Sequence, residues 1–110
     1  MPVPGVEVRI FLKDFKNKNE IEKHWKERGF SFGIWTDPPG QCWEDYVHET
    51  DELLLLVEGE IELEMQGKKI HPKPGEEIFI PAKGIHCVRN IGKTENKWFY
   101  GYRKILFKTK

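Results

Sequence analysis

The clearest alternation of apolar and polar positions lies between Glu60 and Gln66. Ile61, Leu63 and Met65 occupy one set of alternate positions, and glutamates occupy the other set. Successive side chains on a strand point to opposite faces of the sheet. The pattern therefore predicts a strand with one buried face and one solvated face. Val6 to Leu12 shows a similar alternation and is predicted to form the first strand.

The rest of the chain consists mainly of short apolar segments separated by glycine and proline. Further strands are predicted at 30–36, 69–71, 78–80 and 86–91. One or two strands are predicted within 40–59, and one or two within 98–107. Turn residues recur about every 8–12 positions, which is typical of an antiparallel sandwich or barrel. We therefore predict an all-β fold.

One segment, Asn17 to Arg28, is predicted to be a helix. Asn17 or Asn19 can cap its first turn, and Gly29 can end it. Its apolar stripe contains only Ile21 and Trp25, one turn apart. A helix this polar is expected to lie on the surface, anchored by those two side chains.

The stretch from Gly40 to Gly59 contains most of the candidate chemistry. On a regular strand, a row of polar groups would share one face: Cys42, Glu44, Tyr46, His48 and Glu52. Polar groups that enter a hydrophobic interior are costly without partners, and a bound metal ion would be one such partner.

The apolar run from Leu53 to Val57 follows directly. If Leu54 and Leu56 face inward with Glu52, the other three residues face outward. Three large apolar side chains on an outer face are unusual for a soluble monomer. We expect either the N-terminal strand or a second copy of the chain to cover them.

Length and composition narrow the class of protein. The 110 residues fit one domain, residues 1–110, and the formal net charge of zero argues against nucleic acid or an anionic membrane as partner. No apolar run approaches the roughly 18 residues of a membrane span, and the first residues do not resemble a signal peptide. With two cysteines, this favours a cytoplasmic location.

The chain resembles the cupins through two motifs with characteristic spacing. The first cupin motif is glycine, five residues, His-x-His, three or four residues, glutamate, six residues and glycine; here Gly40, Tyr46-Val47-His48, Glu52 and Gly59 have that spacing. The second motif, within 75–90, is matched by Gly75, Pro81 to His86, and Asn90. The resemblance implies an antiparallel double-stranded β-helix, or jelly-roll barrel, with one short N-terminal helix.

The resemblance also implies a metal site. Position by position, His48, Glu52 and His86 correspond to metal ligands, and Tyr46 stands where the family usually has its first histidine. Two imidazoles and one carboxylate suit Fe(II), Zn(II), Mn(II), Co(II) or Ni(II), so the donor set does not select the metal. Tyr46 has three roles open to it: a fourth ligand as phenolate, a hydrogen-bonding phenol, or a general acid or base.

A second departure lies in the other motif. Lys83 stands where the family has glycine, and Gly84 follows one position later. Because the turn still contains a glycine and the spacing from Pro81 to His86 is kept, we expect this change to matter little.

Three functions are consistent with these residues. The first is a metal-dependent enzyme acting on a small molecule, such as an oxygenase, isomerase or lyase. The second is a non-enzymatic ligand-binding or sensor cupin that has lost catalysis or its metal. The third is an interaction protein that uses the outer face of the barrel. The resemblance also implies a homodimer.

Other candidate residues have weaker patterns. Cys42 is expected to be a small buried residue, with a pocket role only if no bulge turns it away, and Cys87 should face away from His86. His24 and His71 are expected on the surface. Arg89 and Arg103 could clamp an acidic ligand, although Arg89 is out of phase with His86. The remaining candidates are aromatic residues of the core or pocket wall: Trp35, Trp43, Trp98, Tyr100 and Tyr102.

Overall fold

A computed structural model describes residues 9–11, 17–46 and 49–104, without the side chains of 9–11 and 44–46. These ranges contain one helix, α1 (Lys18–Glu27), and nine strands. The strands are β1 (Arg9–Phe11), β2 (Gly33–Asp37), β3 (Cys42–Tyr46), β4 (Glu52–Glu58), β5 (Ile61–Met65), β6 (Lys68–Ile70), β7 (Glu76–Ile80), β8 (His86–Asn90) and β9 (Asn96–Tyr102). The remainder of the predicted first strand and the end of the predicted last strand lie outside the described residues.

The strands form two antiparallel sheets. One has the order β1-β7-β4-β9-β2 and the other has the order β3-β8-β5-β6. This confirms the predicted all-β double-stranded β-helix with one short helix. No helix in the described ranges has the length and apolar character needed to cross a membrane.

The interior between the sheets is built from alternate residues of facing strands. Leu54 and Leu56 of β4 pack there with Ile61, Leu63 and Met65 of β5, and all five are buried. The alternation predicted for β5 is therefore confirmed, because its apolar face is buried and Glu62 and Glu64 are partly exposed. This interior also contains the candidate site.

The outer face of β4 is covered by the chain itself. Leu53, Leu55 and Val57 form a second buried cluster in which Ile21 and Trp25 of α1 also take part. The two anchors predicted for the helix are confirmed. The expectation that the N-terminal strand or a second copy covers this face is wrong, because the helix already occupies it. The leucine run therefore gives no reason for a dimer.

A buried carboxylate fixes the helix to the sheet. Glu77 of β7 accepts a hydrogen bond from the Trp25 indole N–H at 2.8 Å and two from the guanidinium of Arg28, at 3.0 and 2.9 Å. Glu77 is buried and Arg28 is partly exposed, so removing Arg28 would leave a buried carboxylate without its cation, which is costly. The N-terminus of the helix is capped by Asn17, whose side chain accepts from the backbone N–H of Glu20.

The stretch 40–59 is not the single strand face that its alternation suggested. Its first part forms β3 at the edge of one sheet, and its second part forms β4 in the middle of the other. The pairing of β3 with β8 also shifts between Trp43 and Tyr46, which indicates a bulge. An irregular strand loses the alternation of faces. Cys42 is accordingly exposed, so the expectation that it is buried is wrong.

Candidate metal and ligand site

Two of the predicted metal ligands meet inside the barrel. Glu52 is the first residue of β4, and His86 is the first residue of β8 in the facing sheet. Their side chains approach to 3.5 Å between Glu52 Oε1 and His86 Nε2, and both residues are buried. The two sheets thus bring together residues that are 34 positions apart in sequence (86 − 52).

A backbone carbonyl orients the imidazole of His86. Its Nδ1 lies 3.1 Å from the carbonyl oxygen of Gly84, and a carbonyl only accepts, so Nδ1 carries the proton in this bond. In the neutral ring the lone pair is then on Nε2, the nitrogen that faces Glu52. This is the arrangement by which proteins usually hold a histidine that binds a metal through Nε2.

Burial disfavours the charged forms of both groups. It lowers the pKa of His86, and the hydrogen bond to Gly84 opposes that effect only in part. It raises the pKa of Glu52 to about 8. A cation beside Glu52 would favour the carboxylate and offset the cost of burying it. Donor types, tautomer and burial therefore fit a divalent metal ion.

The other two predicted site residues are less completely described. His48 lies outside the described residues, as does the side chain of Tyr46. The backbone of Tyr46 pairs with that of His86 across β3 and β8, so it lies at the same level of the barrel. Within the described ranges, no group of three histidine, cysteine, aspartate or glutamate residues lies close enough to hold a metal.

The turn before His86 shows what the second motif requires. Lys83 adopts a positive φ of 63°, a left-handed conformation that normally favours glycine, whereas Gly84 does not. Gly84 therefore does not replace the missing glycine, contrary to our expectation. Instead, Lys83 adopts the strained conformation itself.

Asp51 connects this turn to the start of β4, and sequence reasoning missed it. Its carboxylate accepts from the backbone N–H of Ala82 at 2.8 Å and from Arg103 Nε at 3.0 Å. Asp51 therefore positions the turn that leads to His86. The one sequence feature that points to a role for Asp51 is its position directly before Glu52.

The last residues of both motifs have structural roles at the far end of the barrel. Asn90 donates to the buried carboxylate of Asp37 and to the carbonyl of Thr94. Gly59 has a φ of 106°, and a β-carbon there would collide with the side chain of Asn96. These residues fix the strand ends and do not contribute to the cavity.

Glu52 and His86 line one end of a cavity of about 280 Å³. Its walls contain all the aromatic residues named as pocket candidates from the sequence: Trp35, Trp43, Trp98, Tyr100 and Tyr102. Gly33 makes room for one of these rings, because a β-carbon there would lie 2.6 Å from the ring of Tyr100. The cavity is thus polar at one end and aromatic along its length.

The other candidates lie outside the cavity. Arg89 pairs with Glu62 and Glu64 on the outer face of its sheet, at 3.2 and 2.9 Å. Arg103 pairs with Asp51 and lies over the ring of Phe30. Cys42 and Cys87 are not joined in a disulfide, and Cys87 is buried. His24 and His71 are exposed as expected.

Comparison with known proteins identifies the family. The family model for the cupin domain matches residues 33–102, and the chain belongs to this family. Comparison with curated protein sequences finds no match.

Solved structures share the fold at low sequence identity. The cupin domain of an XRE family transcriptional regulator from Enterobacter cloacae is 19% identical, with 90% of this chain and 97% of that chain covered and a TM-score of 0.64. A predicted oxalate decarboxylase from Thermotoga maritima is 20% identical, with 90% and 81% covered and a TM-score of 0.63. The DMSP lyase DddQ from Ruegeria pomeroyi DSS-3 is 21% identical, with 74% and 41% covered and a TM-score of 0.63, so this chain matches less than half of it. These similarities concern the fold.

Proposed function

We propose that this cupin binds one divalent transition metal ion inside the barrel and acts on a small molecule as a metal-dependent enzyme. His48, Glu52 and His86 would hold the ion. One observation carries the proposal: the Nε2 lone pair of His86 and the carboxylate of Glu52 face each other at 3.5 Å in a buried cavity. The reaction classes to test are oxygenase, isomerase and lyase.

Each residue of the site would have a separate chemical role. The bound ion would act as a Lewis acid toward a substrate oxygen. Gly84 holds the proton of His86 on Nδ1, and Glu52 supplies negative charge that burial makes strongly dependent on a cation. Tyr46, one strand away from His86, would hold or move a proton on the substrate as general acid or base. Aromatic side chains form the walls of the cavity beside these groups.

The test is metal content and metal response of the protein purified without a metal-binding tag. We expect close to one equivalent of a single transition metal, and after removal by a chelator a rise in melting temperature on adding Fe, Zn, Mn, Co or Ni. Less than about a tenth of an equivalent, together with no thermal shift for any of the five metals, would overturn the proposal.

Activity needs a separate test. Oxygen uptake by the Fe(II)-loaded protein would be measured against thiols, diketones and phenols, with His48→Ala as the inactive variant. The matched control is His71→Ala, because His71 is an exposed histidine next to a carboxylate. Turnover that is lost in the first variant and kept in the second supports an enzyme. Equal activity in both variants contradicts it.

The alternative is a non-enzymatic ligand-binding or sensor cupin. Two observations favour it: Tyr46 stands where the family usually has histidine, and one structure with the same fold is the cupin domain of a transcriptional regulator. Ligand-induced stabilisation without turnover would support this alternative. A cytoplasmic homodimer is proposed for either function, and light scattering after size exclusion would test it.

A further inference from the structure

The cavity extends well beyond the proposed metal site. Along β4 and β9 the inward residues form successive rows: Glu52 pairs with Tyr102, Leu54 with Tyr100 and Leu56 with Trp98. Four residues along a strand correspond to about 13 Å. Tyr100 and Trp98 are therefore one and two rows away from Glu52, and with Trp35 and Trp43 they form the aromatic region of the cavity. This region leaves space for a part of the ligand that does not touch the metal site.

Neighbouring aromatic rings in the cavity wall lie with their planes at steep angles to each other. Trp35 and Trp43 lie edge to face, with centroids 5.7 Å apart and planes 70° apart. Trp98 and Tyr100 are 6.1 Å apart at 66°, and Tyr100 and Tyr102 are 5.9 Å apart at 64°. Neighbouring walls therefore offer both ring faces and ring edges. These are the two surfaces that another aromatic ring contacts favourably.

The charges of the cavity are concentrated at one end. Glu52 and His86 are the acidic and basic side chains among the described lining residues, which include no lysine or arginine. The two arginines expected to clamp an acidic ligand are paired elsewhere, Arg89 with Glu62 and Glu64, and Arg103 with Asp51. An anionic group in the aromatic region would lose water without gaining a cation, which is costly.

Two tryptophans mark where this region meets solvent. Trp35 is on β2 and Trp43 is on β3, which are edge strands of the two different sheets. Trp35 lines the cavity and is also 39% exposed. The tryptophan pair therefore bridges the gap between the sheets at the boundary of the cavity.

We propose that the aromatic region binds an uncharged planar ring of the ligand, and that Trp35 and Trp43 form its entrance. The inference rests on the proposed function only for the position of the reacting group, which would lie next to Glu52 and His86. The ligand class is thus a small aromatic compound that carries its reactive polar group on one side. A cavity of about 280 Å³ restricts the compound to one or two rings.

The test uses the metal-free protein, so that its outcome does not depend on metal binding. Indole and indole-3-carboxylate would be titrated by calorimetry or ligand-observed NMR. We expect indole to bind with a Kd below about 1 mM, which is reasonable for so small a ligand. We expect indole-3-carboxylate to bind at least ten times more weakly, because the described lining includes no lysine or arginine to pair with its charge.

A matched pair of variants lies on one edge strand. Ile34 and Trp35 are neighbours with nearly equal exposure, 40% and 39%, but only Trp35 lines the cavity. We expect Trp35→Ala to weaken indole binding at least tenfold, Trp35→Phe to restore part of it, and Ile34→Ala to leave it unchanged. Melting temperatures would show that all three variants fold.

Three results would overturn the inference. They are no binding of indole, equal weakening by Trp35→Ala and Ile34→Ala, or binding of indole-3-carboxylate as tightly as indole. Ring binding in a protein that binds no metal would reject the proposed function and keep this inference. Metal binding without ring binding would keep the proposed function and reject this inference.

Discussion

One histidine–glutamate pair lies in the interior between the two sheets, and another lies on the outer side of the four-stranded sheet. On the inside, His86 and Glu52 are 3.5 Å apart with side chains 1% and 5% exposed; on the outside, His71 and Glu62 are 3.3 Å apart with side chains 57% and 18% exposed. The distances hardly differ, but the surroundings do. Glu62 also pairs with Arg89, and water screens the outer pair. Burial, and not the approach of the two groups, therefore distinguishes a candidate metal site from a surface contact.

The largest expected difference between the pairs is in metal affinity. We expect His86→Ala and Glu52→Gln to weaken Zn²⁺ binding by about 100-fold or more, because each removes a proposed ligand. His71→Ala and Glu62→Gln should change it less than about twofold. Calorimetry on protein without a metal-binding tag measures this. Glu52→Gln preserves the shape of the side chain, so its result does not depend on a packing defect. A similar loss of Zn²⁺ affinity in the variants of both pairs would contradict the distinction between a buried metal site and a surface contact.

The second difference is in the pH dependence of stability of the metal-free protein. A carboxyl whose pKa rises from 4.5 to about 8 on folding stabilises the fold when protonated, and this contribution is lost as pH rises through 8. Above pH 6.5 a histidine is mostly neutral in both states. The free energy of unfolding should then fall by about 2 kcal/mol between pH 6.5 and 8.

Below pH 6.5 the lowered pKa of His86 acts in the opposite direction, because stability is lost as the unfolded histidine takes up a proton. The two slopes oppose each other there, so the window above pH 6.5 is the informative one. Urea denaturation at several pH values would measure it. Glu52→Gln should remove the fall and Glu62→Gln should keep it. A fall that persists in Glu52→Gln would assign it to another group.

The third prediction concerns the turn that orients His86. Lys83→Gly should stabilise the protein by about 1 kcal/mol, because glycine adopts the positive φ of this position without strain. Gln66→Gly is the matched control, since Gln66 has a φ of 55° in the turn between β5 and β6, away from the site. We expect the same gain there. Denaturant midpoints test both, and a loss of stability in Lys83→Gly would contradict the account of this turn.

The smallest effect is expected from the outer pair itself. His71→Ala should change the free energy of unfolding by less than about 0.5 kcal/mol at pH 7, as is usual for exposed ion pairs. Thermal unfolding is sufficient to measure this. A loss above about 1 kcal/mol would mean that exposure does not weaken this contact, and the contrast with the inner pair would then fail.

The pattern of apolar and polar residues correctly predicted features that depend on residues close together in sequence. The alternation of Ile61, Leu63 and Met65 predicted the buried face of β5, and Ile21 with Trp25 predicted how α1 is anchored. The single shared face expected for the polar residues of 40–59 is wrong, because alternation carries no information on where one strand ends and the chain crosses to another sheet. The cover of Leu53, Leu55 and Val57 was misjudged for a related reason, since it depends on where the helix docks.

The periodicity of apolar and polar residues was not enough to predict the candidate site. Nothing in local pattern connects Glu52 with His86, and motif spacing typical of the cupins predicted both as ligands. The structure brings them together. Asp51 and Gly33 were missed because their roles depend on neighbours distant in sequence: Ala82 and Arg103 for the first, Tyr100 for the second.

The burial of β4 on both faces also affects how the protein avoids aggregation. Leu53 to Val57 is a continuous run of large aliphatic residues that is covered only when both the helix and the second sheet are in place. Before that, the run has the properties of an aggregation-prone segment. Acidic residues flank it on both sides, with Asp51 and Glu52 before it and Glu58 and Glu60 after it. Such charges oppose the pairing of exposed apolar strands from different chains. Glu52 would therefore act twice, first as a repelling charge in the unfolded chain and then as a buried group in the finished cavity.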